Sequence, residues 1–210
     1  VLQRLPVAIA AQQILIHPDL QPRLAFELEG IAPQSIYMGM NSDPYQPAEG
    51  RLLQTRKVLE LLAERKFSAC ILTKSPLIAR DVDLFDRMVD PYLGFSIAFQ
   101  DENVRSLFEG NAPSNGARLQ TLEALRDAGI RTYVLICPVM PEITDVEAIV
   151  DEVAPLVNRI YVYRLEMRAE TDANWQNLEA ILNRHYPDLV ERYRRIAFSS
   201  EHPYWTATRS

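Results

Sequence analysis

A chain of 210 residues, 48% of them apolar, is long enough to bury one sizeable core and too apolar for wholesale disorder. Its net charge of −6 argues against an extended nucleic-acid footprint, which draws on clustered Lys and Arg, although it leaves room for a local basic groove. With only two cysteines, Cys70 and Cys137, there is no disulfide framework, and a reducing, cytoplasmic setting is expected.

The first stretch, Val1–Ala10, is mildly apolar but carries Arg4 and Pro6, so it reads as neither a signal peptide nor a span. No apolar run approaches the roughly 18 residues that cross a bilayer, and no membrane partner is expected. Pro18–Leu28 is a helical candidate. Strand-like runs then alternate with helical patterns. The runs are Ser35–Met40, Ala69–Thr73, Gly94–Ala98, Thr132–Cys137 and Ile160–Leu165. Each is short, partly β-branched or aromatic, and bounded by Pro, Asp, Asn or Gly. Continuous apolar runs of this kind suit parallel strands covered on both faces.

Between them, the spacing predicts a helix over Ala48–Arg65, with Leu52, Thr55, Leu59 and Leu62 on one face. A second helix is predicted over Ser114–Ala128, with Ser114 as N-cap and Gly129 beyond its end. Asp145 is placed to cap a third, which carries Val146, Ile149, Val150 and Val153. The tail, Trp175–Ile196, reads as two helices broken near Tyr186-Pro187. The alternation of strand and helix, about five times over, predicts an α/β domain with a parallel sheet, either doubly wound or closing toward a barrel. A single domain over 1–210 is expected.

In such folds the reactive residues gather at the C-terminal strand ends. After the first strand, Asn41, Ser42 and Asp43 precede Pro44; Asp43 suits an ammonium group or a turn that caps the next helix. After the second comes Lys74, which suits a carboxylate or, with a lowered pKa, a Schiff base. The third strand carries Ser96, a lone hydroxyl among apolar residues. Glu109 and Arg118 follow, as a structural ion pair or a ligand clamp. The two cysteines lie inside apolar strands and read as packed thiols. Arg192, Arg194 and Arg195 read as a solvated helix face. His17, His185 and His202 are scattered. No HExxH, CxxC, CxxxCxxC, GxGxxG or P-loop spacing occurs, which excludes the usual zinc, dinucleotide and P-loop enzymes.

Taken together, several short motifs carry a resemblance. They are Asp43-Pro44-Tyr45-Gln46-Pro47, Gln54-Thr55-Arg56 and Ile71-Leu72-Thr73-Lys74-Ser75, then Glu109 with Ala112-Pro113-Ser114 and Arg118-Leu119. Ala128-Gly129-Ile130, Pro138-Val139-Met140-Pro141 and the Trp175…Leu182…Tyr186-Pro187 pattern follow in order. As a set, from about Ile14 to Ile196, they resemble the radical S-adenosylmethionine proteins related to spore photoproduct lyase.

The resemblance implies a partial (β/α)6 TIM-like barrel with parallel strands and outer helices. It implies S-adenosylmethionine across the strand ends and a [4Fe–4S] cluster on three cysteines. One electron from the cluster would cleave the cofactor, and the resulting 5′-deoxyadenosyl radical would abstract hydrogen from a substrate. By carry-over, Ser42 and Asp43 meet the methionine end. Lys74 and Ser96 meet the carboxylate or ribose, with Arg118 helping at the carboxylate. A flavodoxin- or ferredoxin-like reductant is implied as partner, and a nucleic-acid substrate by the kinship to a repair lyase.

The departure is the cysteine loop. It should follow an initial strand ahead of Pro18, and no cysteine precedes Cys70. The expectation is that the cluster-binding residues are missing from these 210, that Val1–Ile16 is a remnant of the first strand, and that the chain as it stands does not run the reaction. Glu142-Ile143-Thr144-Asp145 also departs, since a glycine-containing turn is usual there. Two other classes compete: a Schiff-base lyase using Lys74 with Asp43 or Glu109 as proton partner, and a non-catalytic barrel that keeps only the fold or pocket.

Overall fold

Five parallel strands pair in chain order, so that no helix-bearing connection has to skip a strand. They are β1 (Ser35–Met38), β2 (Ser68–Thr73), β3 (Tyr92–Ser96), β4 (Arg131–Val139) and β5 (Arg159–Arg164). The computed structural model describes residues 18–199 and 201–207. The helices are α1 (Leu20–Glu27), α2 (Glu49–Leu52), α3 (Gln54–Glu64), α4 (Val82–Phe85), α5 (Glu102–Glu109), α6 (Asn115–Asp127), α7 (Val146–Val153), α8 (Ala173–His185), α9 (Val190–Ala197) and α10 (Pro203–Ala207). The fold is therefore α/β, with a five-stranded parallel sheet and flanking helices. Among the described residues, no helix is long and apolar enough to cross a membrane.

Side chains alternate across a strand, so the pairing register assigns each residue to a face. One face carries Ala69, Ile71, Leu93, Phe95, Val134 and Ile136, all fully buried. They join Leu59 and Leu62 of α3, Leu122 and Leu125 of α6, and Ile149 and Val153 of α7 in one core. Burying each large apolar side chain contributes about 1.5–3 kcal/mol, so this face dominates the stability.

The other face carries Tyr37, Cys70, Tyr92, Gly94, Tyr133, Leu135 and Tyr161 and is only partly covered. Tyr133 lies flat across Gly94, where a Cβ would sit 2.1 Å from the ring. Its hydroxyl donates to the Ile71 carbonyl at 3.1 Å, two strands away. Tyr92 and Tyr161 pack against the same ring, with centroids at 4.5 and 5.6 Å.

The strands fall where expected and shift by only a few residues at their ends. β4 runs on through Pro138 to Val139 past a register irregularity, rather than stopping at Cys137. The single helix expected over Ala48–Arg65 is two, α2 and α3, because Leu53 adopts a left-handed conformation at φ 54°. The Glu49 carboxylate accepts from the backbone N–H groups of Gln54 and Arg56, satisfying orphan donors at the start of α3. The predicted caps form: Ser114 Oγ accepts from Ala117 N–H and an Asp145 carboxylate oxygen from Ala148 N–H. The tail breaks at Tyr186-Pro187 into α8 and α9. Tyr193 of α9 donates to the Pro141 carbonyl at 2.7 Å, fastening the tail to the exit loop of β4. Val1–Ile16, expected as a strand remnant, and His17 lie outside the described residues.

Candidate functional site at the strand ends

The loop after β1 turns at Gly39, whose φ is 109°. A Cβ there would lie 2.2 Å from the Leu72 carbonyl oxygen, so only glycine lets β1 leave the sheet this close to β2. Four residues on, Asp43 ties this loop to the next one. Its Oδ1 accepts from Thr73 Oγ1 at 2.6 Å and from Tyr45 N–H at 2.8 Å, and its Oδ2 accepts from Lys74 N–H at 2.8 Å. The loops after β1 and β2 thus share one carboxylate.

A second fastening lies behind the first. Thr55 Oγ1 donates to the Pro44 carbonyl. The buried Tyr45 donates its phenol to Asp81 Oδ2 at 3.0 Å. Asp81, fully buried, also takes Arg56 Nη1 and Arg80 Nε, each at 2.8 Å. Burial works to raise the Asp81 pKa, but hydrogen bonds from Arg80, Arg56 and Tyr45 outweigh it and hold the carboxyl below its ordinary value. Burial and the Asp81 carboxylate push the Tyr45 phenol well up, so it stays a donor.

The third group centres on Glu109. Arg118 is fully buried and spends its fork on the protein: Nε and Nη2 to the Pro113 carbonyl, Nη1 to the Ser96 carbonyl at 2.8 Å, and Nη2 to Glu109 Oε2 at 2.5 Å. Arg105 stands 4.0 Å from the same carboxylate oxygen and bonds Glu102 and the Ala112 carbonyl. The ammonium of Lys74 lies 3.7 Å from the other oxygen, Glu109 Oε1. Among the described residues, Lys74 Nζ makes no hydrogen bond, and its side chain is 37% exposed.

The five expected site residues therefore fall into one neighbourhood. Asp43 binds the Lys74 backbone directly. Lys74, Glu109, Arg118 and the Ser96 carbonyl form a chain of contacts, with Ser96 itself buried at the end of β3. Ser42 stands exposed in the loop beside Asp43. Tyr45, Arg56 and Thr73 stand in the motifs that carry the resemblance but were given no site role, and Arg80, Asp81 and Arg105 carried no signal in the sequence. A separate depression of about 1100 Å³ lies beyond β4 and β5, lined in part by Val139, Glu142, Val162, Glu166 and Trp205, and none of the five residues reaches it.

A cluster of iron and sulfide bound through three thiolates does not fit the described residues. Cys70 and Cys137 stand on β2 and β4 with β3 between them, and both thiols are pushed up by burial. Among the described residues, no group of three or more His, Cys, Asp or Glu is arranged around a common point. At the strand mouth, Lys74 keeps ammonium donors that could pair with an anionic group such as a carboxylate.

The chain is 33% identical over 156 residues to an uncharacterized protein of Methanocaldococcus jannaschii, a match covering 74% of this chain and 58% of that one. It is 32% identical over 171 residues to an uncharacterized protein of Mycobacterium tuberculosis, covering 78% and 49%. An uncharacterized protein of Acidianus two-tailed virus is 31% identical over 157 residues, covering 70% and 50%. The chain thus spans about half the length of the curated relatives it matches. No family profile matches the chain, and no solved structure matches it.

Proposed function

We propose that this chain is the greater part of a radical S-adenosylmethionine barrel of the photoproduct-lyase-like branch, acting on a substrate yet to be identified. One observation carries the reading. Residues expected at successive strand ends or in the segments that follow them, Asp43, Lys74, Ser96 and Arg118, are linked into one polar cluster, with Glu109 bridging Lys74 and Arg118. The strand order supports a barrel arc. Right-handed crossovers between strands in chain order lay every helix on one side, whereas a doubly wound sheet reverses its order midway. The sheet here buries one face under helices and leaves the other, tyrosine-lined face partly open. On this reading that open face is the inside of the barrel.

S-adenosylmethionine, if bound here, would supply the 5′-deoxyadenosyl group that abstracts hydrogen, with a flavodoxin- or ferredoxin-like partner as the ultimate source of the electron. The chain's own residues do simpler work. Lys74 neutralises the ligand carboxylate. Asp43 holds the Lys74 backbone and the Ser42 loop in register, and its Oδ2, with one hydrogen bond, has capacity to accept another. Arg118 holds the end of β3. No step is assigned to the cluster, whose ligands the described residues do not supply. The two unpaired thiols support a cytoplasmic setting.

Isothermal titration calorimetry with S-adenosylmethionine tests the reading. Binding should be measurable in the wild type and weaken at least tenfold in Lys74→Met, which loses a charge-assisted contact. Equal binding by both proteins would remove Lys74 from the site.

A further inference from the structure

Glu109 is an odd neighbour for a residue that has to receive a carboxylate. It is itself a carboxylate, it is nearly buried with its side chain 9% exposed, and it points Oε1 at Lys74 from 3.7 Å. Its other oxygen is held by Arg118 at 2.5 Å, with Arg105 at 4.0 Å. Three cations thus surround Glu109, and two of them are anchored elsewhere. Arg118 is tied to the Pro113 and Ser96 carbonyls, and Arg105 to Glu102 and the Ala112 carbonyl. Lys74 is the third. It has no hydrogen bond among the described residues, and it is the most exposed of the three.

We infer that Glu109 stands in for the ligand's carboxylate when no ligand is bound: it holds the Lys74 ammonium at the strand mouth and gives it up when an anionic ligand arrives. This rests on the reading of Lys74 as the ligand's carboxylate partner. Charge supports the exchange. Among the ion-paired side chains, Lys74, Arg105 and Arg118 face Glu109 and Glu102, so when Lys74 leaves, Arg105 and Arg118 still match the two glutamates. Geometry supports it too. The long Lys74 contact is a charge attraction without a hydrogen bond, and it breaks more easily than the 2.5 Å Arg118 contact that keeps Glu109 neutralised afterward. The ligand class that follows is one with a single free carboxylate within reach of Lys74.

Calorimetry on the 210-residue chain with S-adenosylmethionine, and with its decarboxylated analogue, tests this. Glu109→Gln removes the competitor, and binding of S-adenosylmethionine should tighten about two- to fivefold, the range set by a partly exposed ion pair. The analogue should bind the variant and the wild type alike, and adding Lys74→Met should cancel the gain. Circular dichroism checks that Glu109→Gln folds, because Arg118 loses its buried partner. Glu109→Asp keeps that charge while drawing the carboxylate back from Lys74, and should tighten binding in the same direction. Binding that needs Lys74 and the carboxylate but does not tighten in either folded variant overturns the inference and leaves the proposed function standing. Absence of carboxylate-dependent binding in the wild type and both variants overturns the two together.

Discussion

Asp81 shows how a single side chain can hold the mouth without touching a ligand. It is fully buried and paired with Arg56 and Arg80, and it receives the Tyr45 phenol. Tyr45 in turn sits two residues from Asp43 in the loop that bears Ser42. Removing one partner of such a buried network leaves unmatched charge, so Asp81→Ala should lower unfolding stability by on the order of 3 kcal/mol in urea. The pH dependence follows from the direction of the shift. The folded-state pKa lies below the unfolded value of about 3.9, so the unfolded chain takes up the proton first as pH falls. The contribution is therefore complete above that value and is lost as pH drops toward the folded pKa. Asp81→Asn should show a flatter acid limb than wild type between about pH 5 and pH 2; parallel acid limbs would count against the network. Nothing in the local sequence marks Asp81. Its partners lie at positions 45, 56 and 80, and only folding brings the first two beside it.

At the scale of elements, the tyrosine-lined face depends on a matched pair of residues on adjacent strands. Gly94 of β3 makes room, and Tyr133 of β4 fills it. Burial, then the nearby Cys70 and Tyr37, push the Tyr133 phenol well above its ordinary range, so it donates to Ile71 across the working pH range. Gly94→Ala forces the ring out of place and should cost about 1–3 kcal/mol as overpacking. In a Tyr133→Ala background the cost should shrink to the difference between glycine and alanine in a strand. A double-mutant cycle by urea denaturation reads the coupling, and additive costs would show that the ring moves aside freely. The strands themselves were legible, since continuous apolar runs bounded by turn residues leave few other states. The break between α2 and α3 was not. Helical periodicity runs through Leu53 without interruption, and the break depends on Glu49 folding back to cap Gln54 and Arg56.

At the scale of the whole molecule, the open mouth and the thiols set what the chain does by itself. Anaerobic reconstitution of the 210-residue chain with iron and sulfide, followed by ultraviolet–visible and Mössbauer spectra, should yield no stoichiometric [4Fe–4S] signal. Two cysteines on β2 and β4 cannot replace three on one loop. A full cluster signal would show that other residues of the chain serve as ligands.

The sequence by itself determined the alternation of strand and helix, the parallel sheet, most of the caps, the strand-end positions of Asp43, Lys74 and Ser96, and the place of Arg118 in the helix after Ser114. These are written in local periodicity and turn chemistry, which act within a few residues. Only the tertiary structure decided what those side chains touch. Asp43 turns its oxygens on Thr73 and Lys74 N–H, Arg118 spends its donors on protein carbonyls, and Glu109 stands facing the Lys74 ammonium. The physical reason is distance along the chain. Glu109 and Lys74 are neighbours because β2 and β3 pair and α5 folds back over their ends, and no local pattern encodes that meeting.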